Sequence, residues 1–244
     1  MSWKGKLISC GTNAKTIKGD GSEYLTAIMY LAPWKIASSF NVCANAEIAG
    51  CIDDCLFSAG RGQMKSVSSA RIRKTLWFTN DRVSFMQQLV DDIERFVKYC
   101  DKRGIKPCVR LNGTSDIRWE TIPVTRGEHT LGNIFLAFPQ VQFYDYTKIA
   151  NRKIEHRTSG NYHLTFSYSN ANPVYAKMTD AAIKNGMNVA VVFRTKQRIP
   201  TEYLGLPTID GDKDDLRFLD PKQSVVALYA KGSAKHDKTG FVQD

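Results

Sequence analysis

YHLTFS (Tyr162–Ser167), PVYAKMTDAAIKNG (Pro173–Gly186) and VAVVF (Val189–Phe193) read as strand, helix and strand, and this stretch decides the fold. The flanking runs are short and β-rich. The segment between them ends on Gly186, the residue type that adopts the left-handed conformation closing a helix. Two strands joined by a crossover helix make a parallel βαβ unit.

The pattern extends in both directions. PCVRLN (Pro107–Asn112), VQFYDYT (Val141–Thr147), PTID (Pro207–Asp210) and VVALYA (Val225–Ala230) are further short β-rich runs separated by helical or polar segments. Six such strands predict an α/β fold with a parallel sheet, a full or partial (β/α) barrel. Upstream, YLTAIMYLAPW (Tyr24–Trp34) is apolar and reads as strand or short helix. Two helices are expected after it. The first spans about 66–78, with Arg71, Arg73 and Lys74 on its exposed side. The second runs from an N-cap at Asp81 to Gly104. On that second helix Phe85, Leu89, Ile93, Val97 and Cys100 form one apolar stripe, which makes Cys100 a core residue. The chain reads as one domain over 1–244, with 232–244 as a flexible polar tail.

Between these helices and the Tyr24 segment lies NVCANAEIAGCIDDCLFSAGRG (Asn41–Gly62), which holds Cys43, Cys51 and Cys55 in the spacing C-x7-C-x3-C. Thiolates select zinc, copper(I) or iron–sulfur clusters over hard cations, so the triad is a candidate metal site. The ligand number separates two chemistries. Structural zinc closes with four ligands, whereas a cluster held by three cysteines leaves one iron open.

Ligands of parallel α/β folds bind at the carboxyl ends of the strands. Here those ends carry Asn112, Thr114 and Asp116, then Asp145 and Lys148, Ser167, Arg194, Asp210 and Lys231. No Ser–His–Asp order, HExxH helix, P-loop or GxGxxG loop is present, and the 4 histidines include no i, i+4 pair. Acid–base chemistry on this rim therefore falls to Asp, Lys or Tyr.

Composition narrows the class. With 43% hydrophobic and 24% charged residues the chain is that of an ordinary soluble globular protein. No apolar run reaches the roughly 18 residues of a membrane span, and the N-terminus lacks the features of a signal peptide. A cytoplasmic setting is expected, where thiols stay reduced and the 6 cysteines serve as ligands and core residues rather than disulfides. The net charge of +10 makes nucleic acid or a phosphorylated small molecule a plausible partner.

The segments NVC…AGC…CL.SAGRG, SARIRKTLWF, VRLNGTSDIRWE, FYDYTK, YHLTFS, NVAVVFR, DGDKDDLRFLD and ALYAKG…GFV together resemble an uncharacterised family of phage and prophage proteins, over about Asn41 to Val242. More distantly, three clustered cysteines ahead of a (β/α) sheet are similar to the radical-SAM-like architecture. That resemblance implies a [4Fe–4S] cluster on Cys43, Cys51 and Cys55 at one end of a partial barrel, its open iron taking the amino and carboxylate groups of S-adenosylmethionine. The usual spacing there is C-x3-C-x2-C, from which this chain departs.

Three readings follow. In the first, an iron–sulfur enzyme, Asp116, Asp145 and Lys148 are catalytic and Asn112, Thr114, Ser167 and Arg194 bind the cofactor or substrate. In the second, a nucleic-acid-binding or regulatory phage protein carries structural zinc, with Cys10 or Cys108 as fourth ligand. Arg61, Arg71, Arg73 and Lys74 then contact phosphates, and Trp77 and Trp119 are available to stack on bases. In the third, the cysteines are only buried thiols.

Overall fold

The computed structural model describes residues 5–11, 23–53, 55, 62, 64–152 and 154–244. Each of the six β-rich runs is a strand. They are β3 (Lys106–Arg110), β6 (Gln142–Thr147), β7 (Tyr162–Ser167), β8 (Val189–Phe193), β10 (Leu206–Asp210) and β11 (Val225–Tyr229). The Tyr24 segment resolves as a strand, β2 (Tyr24–Met29), flanked in the sheet by β1 (Ile8–Cys10). A hairpin of β4 (Val124–Arg126) and β5 (His129–Leu131) stands apart, and β9 (Glu202–Tyr203) and β12 (Val242–Gln243) complete the set.

The large sheet has the order β1-β2-β3-β6-β7-β8-β11-β10-β9, with β12 joined to β8. From β2 to β10 every neighbouring pair is parallel. No closed barrel forms. Each end of the sheet is finished by a short antiparallel strand, β1 on β2 and β9 on β10. The β9–β10 turn places Leu204 and Gly205 both at positive φ, the two-residue geometry that reverses a strand tightly. Among the described residues the two edge strands, β1 and β9, do not pair with each other, so the sheet is open.

The crossovers also differ from a regular βα repeat. Helix α4 (Pro173–Lys184) links β7 to β8 as the sequence predicts, with Asn172 accepting from the Val174 amide at its start. Between β2 and β3 lie α1 (Lys65–Asn80) and α2 (Arg82–Asp101), the short α3 (Ile134–Ala137) precedes β6, and among the described residues β6 reaches β7 through turns alone. A parallel connection needs a dozen or so residues but not a helix.

Asp81 caps α2 by accepting from Ser84 N at 3.1 Å. Its stripe of Phe85, Leu89, Ile93 and Cys100 packs on Val109, Phe143 and Leu164 of the sheet, and burying each large apolar side chain is worth about 1.5–3 kcal/mol. A second core gathers α4 residues Tyr175 and Ala182 with Phe166, Val191 and Ala227.

Helix α1 departs from expectation. Arg71 and Lys74 are buried rather than exposed. The Lys74 ammonium donates to the Leu7 carbonyl at 3.2 Å, and the Arg71 guanidinium lies 4.6 Å from the Tyr30 ring centroid. These cations clamp the N-terminal strands instead of facing solvent.

The sheet parts beyond the carboxyl end of β7, alongside the second half of β8. These strands pair only through Phe166–Val189 and Ser167–Ala190, and β12 then takes over the free edge of β8 at Val192 and Phe193. The terminal stretch read as a polar tail thus carries a 3-10 turn over Gly232–His236 and a strand. Arg194 holds it there, pairing with Asp244 and donating to the carbonyls of Lys235 (2.9 Å) and Asp237 (3.1 Å).

Candidate functional site

Where the sheet parts, a cavity of about 450 Å³ opens. Its lining joins the cysteine segment to the strand ends: Cys43, Cys51 and Cys55 face the same space as Asn112, Thr114, Asp116, Lys148, Ser167 and Lys231. Asp145, Arg194 and Asp210 do not line it.

The cysteine segment is pinned on several sides. Asn41 Oδ1 accepts from Cys43 N at 2.8 Å, and Asp116 N donates to the Val42 carbonyl at 2.8 Å. Asn45 Nδ2 donates to Lys148 O (2.7 Å) and Ser169 Oγ to Ala49 O (2.7 Å). Gly50 sits at φ +63°, and a Cβ there would lie 2.7 Å from both Ala171 Cβ and Thr239 Oγ1, so glycine is required on both counts. Gly113 is fixed differently: a Cβ would fall 2.6 Å from the Met29 carbonyl oxygen, because the loop after β3 crosses the end of β2.

Asn112 organises that loop. Its Oδ1 accepts from Ser115 Oγ, Ile117 N and Trp119 Nε1 at 2.8, 2.9 and 3.0 Å, while its Nδ2 donates to Ile117 O at 3.0 Å. Its own amide donates to Asp145 Oδ1 at 2.8 Å. The Thr114 hydroxyl is likewise occupied, on the Leu31 carbonyl at 2.5 Å. Asp116 accepts from Thr147 Oγ1 (2.9 Å), Lys148 N (2.7 Å) and Arg152 Nη1 (3.1 Å). Arg152 also forms a bidentate pair with Glu120 at 2.9 and 2.6 Å and donates to the Tyr162 hydroxyl, which in turn donates to Asp145. Burial raises the Asp145 carboxyl to about 7, against the pull of Arg110 and the Asn112 amide.

Lys148 stands apart from this network. Among the described residues its ammonium makes no hydrogen bond or ion pair, and it lies within electrostatic reach of Cys51, Cys43 and Asp116. Burial disfavours its charge, but those neighbours outweigh burial and hold it well above the ordinary lysine value. Burial pushes the Cys43 thiol up to about 12, with Lys148 opposing, so any metal must displace a proton there.

The donors match a cluster or zinc in kind, being three thiols on one cavity wall. Among the described residues, however, no three Cys, His, Asp or Glu side chains gather closely enough to hold a metal ion. Ligation by the triad therefore requires the 43–55 segment to tighten. Cys108 is buried in β3 and Cys10 packs in the first core, and neither lines the cavity as a fourth ligand.

The contacts expected for nucleic acid disperse. Arg71 and Lys74 are buried, Trp119 is 0% exposed, and Trp77 stacks edge-on against Phe85. Arg73 is exposed on α1, and Arg61 lies outside the described residues.

Sequence reasoning passed over the cavity's deeper side. Arg110 and Tyr146 line it from the sheet face opposite the helices, and the loop after β10 reaches across that face, where Asp215 Oδ2 meets Arg110 Nη1 at 2.6 Å. Buried Arg217 joins the same loop to Asp214 and Asp220. The signal was present in the alternation of β6, which puts Tyr144 and Tyr146 opposite Phe143 and Asp145. Nothing in the sequence placed Asp215 against Arg110, 105 residues away.

Among the described residues no helix is long and apolar enough to cross a membrane. No curated protein and no solved structure matches the chain significantly. A family model described as Gene product 88 matches residues 6–244, in keeping with the uncharacterised phage family that the sequence resembles. The chain belongs to the Gene product 88 family.

Proposed function

We propose that this protein is an iron–sulfur enzyme acting on a small molecule in the cavity at the strand ends. One observation carries the reading: three thiols of a single segment and the polar ends of successive parallel strands open onto one space. Cys43, Cys51 and Cys55 would hold the cluster. A [4Fe–4S] cluster with three protein thiolates supplies an open iron, the site that binds S-adenosylmethionine in the radical-SAM-like architecture.

The chain's own groups divide into frame and site. Asn112, Thr114 and Asp116 hold the loop after β3 against the cysteine segment, their polar atoms already engaged. Lys148 supplies the cation beside the thiols, suited to a carboxylate or another anion. Asp145 acts through Asn112 and Tyr162 and does not touch the cavity.

The test is an electron paramagnetic resonance titration of reduced, anaerobically purified protein with S-adenosylmethionine. A cluster signal that shifts on addition, and shifts less in Lys148→Met, supports the reading. A signal indifferent to the ligand leaves the cluster without an enzymatic role. Colourless protein containing zinc instead favours the structural-metal alternative.

A further inference from the structure

We propose that Arg110 and Tyr146 form the substrate-recognition floor of this cavity, taking an anionic oxygen group, phosphate or carboxylate, on a substrate with an apolar body. The inference rests on the reading of the cavity as the reaction chamber. It does not depend on the cluster.

The observation is a pair of buried donors that make no hydrogen bond among the described residues, beside an acceptor, Asp215 Oδ1, that is itself unpartnered. Arg110 is 6% exposed, and its Nε has no hydrogen-bond partner among the described residues. The buried Tyr146 hydroxyl has none either. The two are adjacent, with the guanidinium carbon 5.1 Å from the Tyr146 ring centroid, and both line the cavity. Buried polar groups are almost always hydrogen-bonded, so neighbouring exceptions on one cavity wall point to an acceptor brought from outside.

The local chemistry sets the class of that acceptor. Asp215 engages Arg110 through Nη1 at 2.6 Å, which fixes the plane of the guanidinium and leaves its Nε edge for another partner. Guanidinium keeps its proton at all accessible pH and matches the two oxygens of a carboxylate or phosphate. Two further cations share the cavity. Lys148 makes no ion pair among the described residues, and Lys231 pairs with Asp212 at 2.6 Å. Of the two lining carboxylates, Asp116 has both oxygens occupied, leaving Asp53 at the exposed mouth. Beyond the donors the same sheet face presents Ala190, Val192 and Leu228, an apolar wall for the rest of the substrate.

Calorimetric titration of the full chain with phenyl phosphate, benzoate and benzyl alcohol tests the floor. We expect at least one anion to bind and the alcohol not to. The stronger of the two anions identifies the group as phosphate or carboxylate. Tyr146→Phe, which removes one oxygen from a group without an internal partner, weakens anion binding about tenfold. Arg110→Lys, which keeps a cation opposite Asp215, weakens it by at least about tenfold. Wild-type protein that binds neither anion better than the alcohol overturns the proposal, as does equal affinity in Tyr146→Phe with an unchanged unfolding midpoint. Iron-loaded protein that ignores both anions sinks the floor and spares the cluster. Metal-free protein that binds an anion through Tyr146 does the reverse.

Discussion

Asp145 and Tyr146 are neighbours on β6 and belong to two buried polar networks of opposite kind. Asp145 faces the helices and joins a saturated set, Asn112–Asp145–Tyr162–Arg152–Glu120–Asp116, in which Arg152 alone makes five side-chain-donated hydrogen bonds. Tyr146 faces the other way, among Arg110, Asp215, Arg217 and Asp220, where Arg110 Nε, Arg217 Nε, Asp215 Oδ1 and the Tyr146 hydroxyl have no hydrogen-bond partner among the described residues. The difference separates scaffold from site. A network that satisfies itself has nothing left to offer a ligand, whereas one that does not is costly unless something completes it.

The largest effect follows from breaking the saturated network. Arg152→Met leaves Asp116 buried without its paired guanidinium and Glu120 with only the half-exposed Arg118, and lowers unfolding free energy by about 3–5 kcal/mol in chemical denaturation. A loss below about 1 kcal/mol would mean the pairs contribute little. Asn112→Ala comes next. It strands the Trp119 and Ile117 donors, and a destabilisation of about 1–3 kcal/mol is expected from the same measurement, although the residue lines the cavity.

A pH experiment sharpens the contrast on the opposite face. Burial first, and then Arg217, pushes His163 down from 6.5 to about 4. The unfolded chain therefore takes up the His163 proton at higher pH than the folded one. Stability from this residue is complete above pH 6.5 and is lost as pH falls from there through 4. His163→Gln should flatten the acid limb of the stability curve over that window, and an unchanged slope would contradict the assignment. The smallest effect belongs to Tyr146→Phe. With no partner to lose, it removes an unsatisfied buried hydroxyl and should leave stability unchanged or raise it by up to about 1 kcal/mol, in contrast to its effect on anion binding.

Much of this was legible beforehand. The six runs are strands, α2 and α4 lie within a few residues of their capping signals, and most polar strand ends converge on one cavity with the cysteines. Periodicity and caps are local, and so they are readable. The misreadings share a long-range cause. Arg71 and Lys74 looked exposed because their buried surroundings come from β1 and Tyr30, 67 residues from Lys74 in the case of Leu7. Of the full or partial barrel expected, the described residues build an open sheet, its two edges finished by the short antiparallel strands β1 and β9. Arg110, Tyr146 and Arg152 were passed over because most of their partners sit 32 to 105 residues away and the Tyr146 hydroxyl has none among the described residues.

The central claim, that the cysteine wall of the cavity holds a cluster, is tested most directly by iron and sulfide analysis of anaerobically purified wild-type protein beside Cys51→Ala. The account predicts about four irons and four sulfides per wild-type chain, lost in the variant. Wild-type protein free of iron and sulfide, or full occupancy without Cys51, would contradict it.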